Sequence, residues 1–200
     1  MLIAARESFA AAARNRLPYD AEVEYIAGTG TQWMDTGIAL SSGDSFELRV
    51  VGSFTSLSAN QLMGLYASAY FGIGLNSKWT VSGSVDTGTA SSAIYSFILS
   101  SQIGDNKVSA LRIYRPGYDR TWTHTRNNAA GTIGIMNIPG RDYCCNFNFE
   151  ASRVFVNGTQ VQHLIAVRKG ATGCAYDTIS GQLLFNAGTG SFTIGPDKTA

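Results

Sequence analysis

"SFELRVVGSF", residues 45–54, sets Phe46, Leu48 and Val50 at every second position with Glu47 and Arg49 between them. Successive side chains of a strand point to opposite faces, so such a run buries one face and wets the other. The same pattern recurs on both sides of it. "EVEYIA" from Glu22 precedes it, and "YFGIGL" from Tyr70, "KWTVSGSV" from Lys78, "IYSFILS" from Ile94 and "VSALRIY" from Val108 follow. Further on come "GTIGIMNI" from Gly131, "NFNFEASRVFV" from Asn146 and "QVQHLIAVRK" from Gln160. β-Branched and aromatic residues dominate these runs, and glycine, serine and asparagine punctuate them. About ten or more short strands at this spacing predict an all-β fold, a two-sheet antiparallel sandwich or a barrel.

Composition narrows the class further. With 200 residues, 44% of them hydrophobic and only 14% charged, the chain has material for one large core and little ionic surface. A single domain is expected. The net charge of +1 supplies no field for a phosphate backbone, and no run of lysines or arginines stands out along the chain, so nucleic acid is not an expected partner. No apolar stretch reaches the ~18 residues that a membrane helix needs. Arg6 and Glu7 interrupt what would be the apolar part of a secretion signal, and none is read. Three cysteines, two of them adjacent (Cys144, Cys145, Cys174), are expected to be thiols. His124 and His163 are not spaced with them as metal ligands, and neither a metal nor a cofactor is expected.

Two segments depart from the strand pattern. Residues 2–16 carry Leu2, Ile3, Phe9 and many alanines among Arg6, Glu7, Arg14 and Arg16, and Pro18 ends the run. That predicts a short α-helix, which is marginal alone in water and must lie on something else. Residues 1–17 are therefore read as a helical anchor or oligomerisation segment, and 18–200 as the sandwich. Near the other end, "GQLLFNAGTGSFTIGP", residues 181–196, reads as two short strands joined by a glycine-dependent turn. Just before it, Asp177 in "AYDTISG" is placed to accept backbone N–H bonds from the residues that follow. In "GTGTQWMDTG", Gln32 and Thr36 offer hydrogen bonds to nearby backbone, and Asp35 before Thr36 and Gly37 suits a strand-end turn.

Two motifs carry a resemblance. "YIAGTGTQWMDTGI", residues 25–38, resembles the opening "YIxSTGTQYIDTG" of concanavalin A-like, laminin-G-like jelly-roll domains found in phage virion proteins and gut bacterial surface proteins. The run from Val154 to Asp197, with "VRKGATGCAYDTISG" and "NAGTG", is similar to the closing half of the same family, and "LMGLYASAYFGIGL", residues 62–75, to a weaker middle signature. Where those relatives carry "RD" this chain has Gln162 and His163, and Ala166 replaces a proline. The resemblance implies a two-sheet antiparallel jelly roll serving as a non-catalytic virion component: a tail, fibre or capsid-decoration protein. Together with the absence of a secretion signal and the marginal helix over residues 2–16, which lies outside the shared region, this gives the expectation of a protein made in the host cytoplasm that forms homo-oligomers and contacts other virion proteins through that helix. A bacterial cell-surface adhesin that binds carbohydrate is the second expectation, and a glycoside hydrolase the third.

Catalytic residues are not expected. Glycosidases need two carboxylates ~5–10 Å apart. Asp20, Glu22 and Glu24 alternate on one strand face, but no partnering acidic run appears. Only two histidines exist to serve a nucleophile. The most distinctive polar-aromatic stretch is "YRPGYDRTWTHTRNNAAG", residues 114–131. Tyr118, Trp122, His124 and Arg126 offer ring faces and planar polar groups of the kind that hold sugars, and Trp79 is a further candidate. The same residues also read as one more strand, with Trp122 and His124 packed into the core.

Overall fold

A computed structural model describes residues 17–56, 60–66, 71–75, 78–81, 85–89, 91–137 and 144–199. Its strands in chain order begin with β1 (Ala21–Glu22), β2 (Ile26–Thr29), β3 (Met34–Leu40), β4 (Ser45–Phe54) and β5 (Asn60–Tyr66). Next come β6 (Phe71–Leu75), β7 (Lys78–Val81), β8 (Val85–Thr89), β9 (Ile94–Gln102), β10 (Gly104–Arg115) and β11 (Tyr118–Asn128). The series ends with β12 (Gly131–Ile135), β13 (Asn146–Val156), β14 (Thr159–Lys169), β15 (Thr172–Asp177), β16 (Leu183–Leu184) and β17 (Thr193–Ile194). The helix expected over residues 2–16 lies outside the described residues.

Two antiparallel sheets form a sandwich. The larger runs β11-β10-β9-β4-β13-β14-β15-β16, with β1 on β14, β2 on β13 and β17 on β2; the smaller runs β3-β12-β5-β6-β7-β8. Between them the inward positions of each strand form one core, including Leu48, Val50 and Phe54 of β4, Phe97 and Leu99 of β9, and Leu62, Met63 and Leu65 of β5. At its centre the rings of Phe54, Phe97 and Phe147 pack edge to face, with centroids 5.0 to 6.2 Å apart, the geometry that ring quadrupoles favour. Gly52 makes room for them. A Cβ there would collide with the Asn148 carbonyl oxygen and come within 2.5 Å of the Phe147 ring.

Strand β13 carries the feature that decides what faces outward. Its pairing with β4 slips between Phe149 and Ala151, so Glu150 is the extra residue of a bulge. Before the slip the odd positions Phe147 and Phe149 are buried; after it the even positions Ser152 and Val154 are. Arg153 thereby points away from the core.

The closing stretch is not a hairpin. Leu183 and Leu184 pair with β15, whereas Thr193 and Ile194 pair with β2. The "NAGTG" between them instead clasps the opening motif. Ala187 and Thr189 donate their N–H groups to the carbonyls of Trp33 and Thr31 at 2.9 and 3.2 Å. Asn186 Oδ1 accepts from the Trp33 N–H at 3.1 Å, and Gln32 Nε2 donates to the Thr189 carbonyl at 3.2 Å. Gly188 presses against this segment so closely that a Cβ would overlap the Thr31 carbonyl oxygen. The glycines thus serve a close approach between two chain ends rather than a two-residue turn. Gln32 also makes the local bond expected of it, accepting from the Thr29 N–H at 2.8 Å. Asp35 accepts from the Gly37 N–H at 2.9 Å, but inside β3, where the pairing with β12 shifts, not at a strand end.

The Asp177 turn forms as the residue pattern indicates. Its carboxylate accepts from the N–H groups of Ile179 and Ser180 and from the Ser180 hydroxyl, and also from the His163 N–H at 3.0 Å. Burial pushes this carboxyl up, yet those bonds outweigh it and leave it below the usual carboxylate range.

Candidate functional site

The residues singled out in the polar-aromatic stretch lie on β11, an edge strand of the larger sheet. Tyr118, Trp122, His124 and Arg126 oppose Arg115, Leu111, Ser109 and Lys107 of β10. Leu111 and Ser109 are buried, so alternation turns Tyr118, Trp122 and His124 toward the core side of the sheet. Tyr118 and Trp122 are half-buried and pack on the core. Guanidinium groups of Arg115 and Arg120 lie 5.8 and 5.6 Å from the Tyr118 ring centroid, and Tyr95 meets that ring edge-on at 6.0 Å. His124 is half-buried beside them. Trp79 sits in β7 opposite Leu75; its side chain and that of Arg126 lie outside the described residues.

A different set of side chains meets on the outer face of the same sheet. Each follows from alternation: Arg49 stands between buried Leu48 and Val50, and Arg112 between buried Leu111 and Ile113. Likewise His163 stands between buried Gln162 and Leu164, and the Glu150 bulge turns Arg153 the same way. Register then brings them into one cross-strand row. His163 opposes Arg153, Arg153 opposes Arg49, Arg49 opposes Ile98, and Ile98 opposes Arg112. Adjacent strands are about 4.7–4.9 Å apart, so this row spans roughly 19 Å. The next row holds Ala151, Val51, Ser96 and Tyr114. Together the two rows line a groove of about 440 Å³ with no carboxylate among its lining residues. A second hollow of about 730 Å³, lined by Ser45, Glu47, Ser100, Gln102 and Phe155 among others, shares Arg49 with the first. The depression therefore continues along β4 from Val51 to Ser45.

The cations of this row are unequally satisfied. Arg49 pairs with Glu47 at 2.6 Å and lies 4.9 Å over the Phe155 ring. Arg112 pairs with both oxygens of Asp119, at 2.9 and 2.6 Å, and lies 5.6 Å from the Tyr114 ring centroid. The bond from Arg112 holds the Asp119 carboxyl below its ordinary value. Arg153, by contrast, has no acidic or hydrogen-bonding partner among the described residues. It directly opposes Arg49, an arrangement of like charges that weakens a sheet. Burial first, and the Arg153 charge second, lower the pKa of His163, against a smaller opposing pull from Asp177. His163 Nδ1 is engaged with the Thr178 hydroxyl at 2.9 Å; Nε2 is outside that bond.

Other candidates have ordinary structural partners. Asp20 accepts from the Gly170 N–H at 2.6 Å, and Glu22 meets Lys198 at 3.8 Å. All three cysteines are buried free thiols, with burial pushing Cys174 up to about 11 and Cys145 well above the ordinary value. Among the described residues no group of histidine, cysteine and carboxylate side chains is gathered as a metal site, and no helix is long and apolar enough to cross a membrane. Comparison with known proteins gave no match to the chain, whether among family models, curated proteins or solved structures.

Proposed function

We propose that this chain is a non-catalytic jelly-roll module of the concanavalin A-like kind, a structural and binding component of a virion or a cell surface that holds glycan on the outer face of its larger sheet. The observation that carries the binding half is the depression along β4. Its walls combine the exposed ring of Tyr114 and the half-buried ring of Phe155 with the hydroxyls of Ser45, Ser96 and Ser100 and the guanidinium groups of Arg49, Arg112 and Arg153. Apolar ring faces with planar polar groups between them are what a sugar requires. The virion half is supported by the resemblance of residues 25–38 and 154–197 to such jelly rolls. Contact with other subunits through residues 1–17 belongs to the same reading.

A glycan array probed with the full chain tests it, alongside Trp122→Ala and Tyr114→Ala. Sugar binding that survives Trp122→Ala and falls with Tyr114→Ala assigns the outer face. The reverse assigns the edge strand β11, and absence of binding by all three removes glycan recognition. For assembly, removal of residues 1–17 is expected to leave a folded sandwich that no longer oligomerises, as read by light scattering.

A further inference from the structure

The geometry points to an acidic saccharide as the ligand of the outer face, its carboxylate or sulfate lying against Arg153 between Arg49 and His163. This inference rests on the glycan-binding reading above and adds the charge of the ligand to it. Its first support is the unequal pairing of the row. Glu47 and Asp119 neutralise Arg49 and Arg112 within the fold, whereas Arg153 has no such partner and faces the groove. A guanidinium held opposite another guanidinium gains most when an anion settles between them, because a charge-assisted, two-pronged bond then replaces repulsion. His163 lies on the other side of Arg153 in the same row and lines the same groove, its Nδ1 taken up by Thr178 and its Nε2 outside that bond.

The shape of the cationic region argues for a saccharide over a nucleic acid. The row crosses the strands, while the depression runs along β4, so a chain lying in the depression meets the cations at one place only. Farther along, Glu47 lines the second hollow. A polyanion with a phosphate at each nucleotide would meet that carboxylate, and the whole chain carries a net charge of only +1. An oligosaccharide with an acidic unit flanked by neutral ones meets the arginines with its acid, and the serines and rings with its neutral units.

Calorimetry on the full chain decides it, with four probes: a uronic-acid-containing oligosaccharide, its carboxyl-reduced neutral counterpart, a sulfated oligosaccharide and single-stranded DNA. We expect the uronate or the sulfated probe, or both, to bind, and the better of the two names the acid. Carboxyl reduction should abolish or weaken uronate binding about tenfold or more, and Arg153→Gln should do the same to whichever acidic probe binds. Arg112→Gln, which removes a neutralised cation, should weaken it less. Equal binding of the neutral and acidic probes, with no effect of Arg153→Gln, overturns the charge selection and leaves glycan binding standing. DNA bound as tightly as either saccharide overturns it in favour of a phosphate backbone. No binding of any probe overturns both. A melting temperature in Arg153→Gln that is unchanged or raised excludes misfolding as the cause of a loss.

Discussion

The edge strand β11 and the outer row of the larger sheet teach opposite lessons about polar and aromatic residues. On β11 the aromatic and cationic residues are neighbours in sequence, yet Tyr118 and Trp122 lean on the core and Tyr118 is flanked by Arg115 and Arg120. In the outer row Arg49, Arg112, Arg153 and His163 come from four strands, and they meet over a groove with Arg153 left unpaired. The rings of the first cluster pack into the fold; the Arg153 charge of the second has no acidic partner among the described residues. A group whose charge the fold opposes rather than neutralises marks a place where stability has been traded against another requirement.

The sharpest way to break the contrast is Val154→Arg. Val154 is wholly buried next to the outward Arg153, so a guanidinium at that position enters the core with no partner. Burying an unpartnered charge costs on the order of 5 kcal/mol, enough to unfold a domain stable by ~5–15 kcal/mol. Loss of the near-ultraviolet circular dichroism signal would report it, and a cooperative, native-like melt would show that β13 does not turn Val154 inward and Arg153 outward as assigned. Phe147→Ala, in the ring cluster at the centre of the core, should cost ~3–5 kcal/mol in urea denaturation, lowering stability without altering which face binds. Trp122→Ala should cost less, ~1–3 kcal/mol, since the ring is only half-buried. A change in stability of under a few tenths of a kcal/mol there would remove the packing role assigned to β11.

Two smaller effects sharpen the outer row. The folded His163 has a lowered pKa, so as pH falls the unfolded chain takes up the proton first. Its contribution is therefore fully present above the unfolded value of about 6.5 and declines as pH drops toward the folded one. His163→Gln should flatten the stability profile between about pH 7 and 5, leaving untouched the later acid loss from Asp177. That carboxyl is lowered on folding, so its contribution persists above the unfolded value of about 3.9 and is lost as pH falls through the folded one. The smallest effect expected is a gain: Arg153→Gln, by removing the charge opposite Arg49, should stabilise the protein by ~0.2–1 kcal/mol. A loss of stability instead would mean that Arg153 has a structural partner.

How far each region was legible depends on the range of the interactions that make it. The outward turn of Arg49 is visible in "SFELRVV", because burial of Leu48 and Val50 is a two-residue affair. The Asp177 turn is equally local. Arg153 was hidden: strict alternation through "NFNFEASRVFV" puts it on the same face as Phe147 and Phe149, and only the slip in pairing with β4 moves it out. The reading of residues 181–196 as a hairpin failed for the same reason. Apolar pairs around a glycine-rich stretch say that strands are near, and the partners that won, β15 and β2, lie elsewhere in the chain.

Sequence alone determined that this chain forms antiparallel sheets and which side of most strands is wet, since a two-residue period and side-chain transfer from water are properties of a short segment. Tertiary structure alone decided that three arginines and a histidine share one row and that the "NAGTG" stretch clasps residues 31–33 at Gly188. Register between strands is set by pairing over long separations, and one bulge residue suffices to reverse a face.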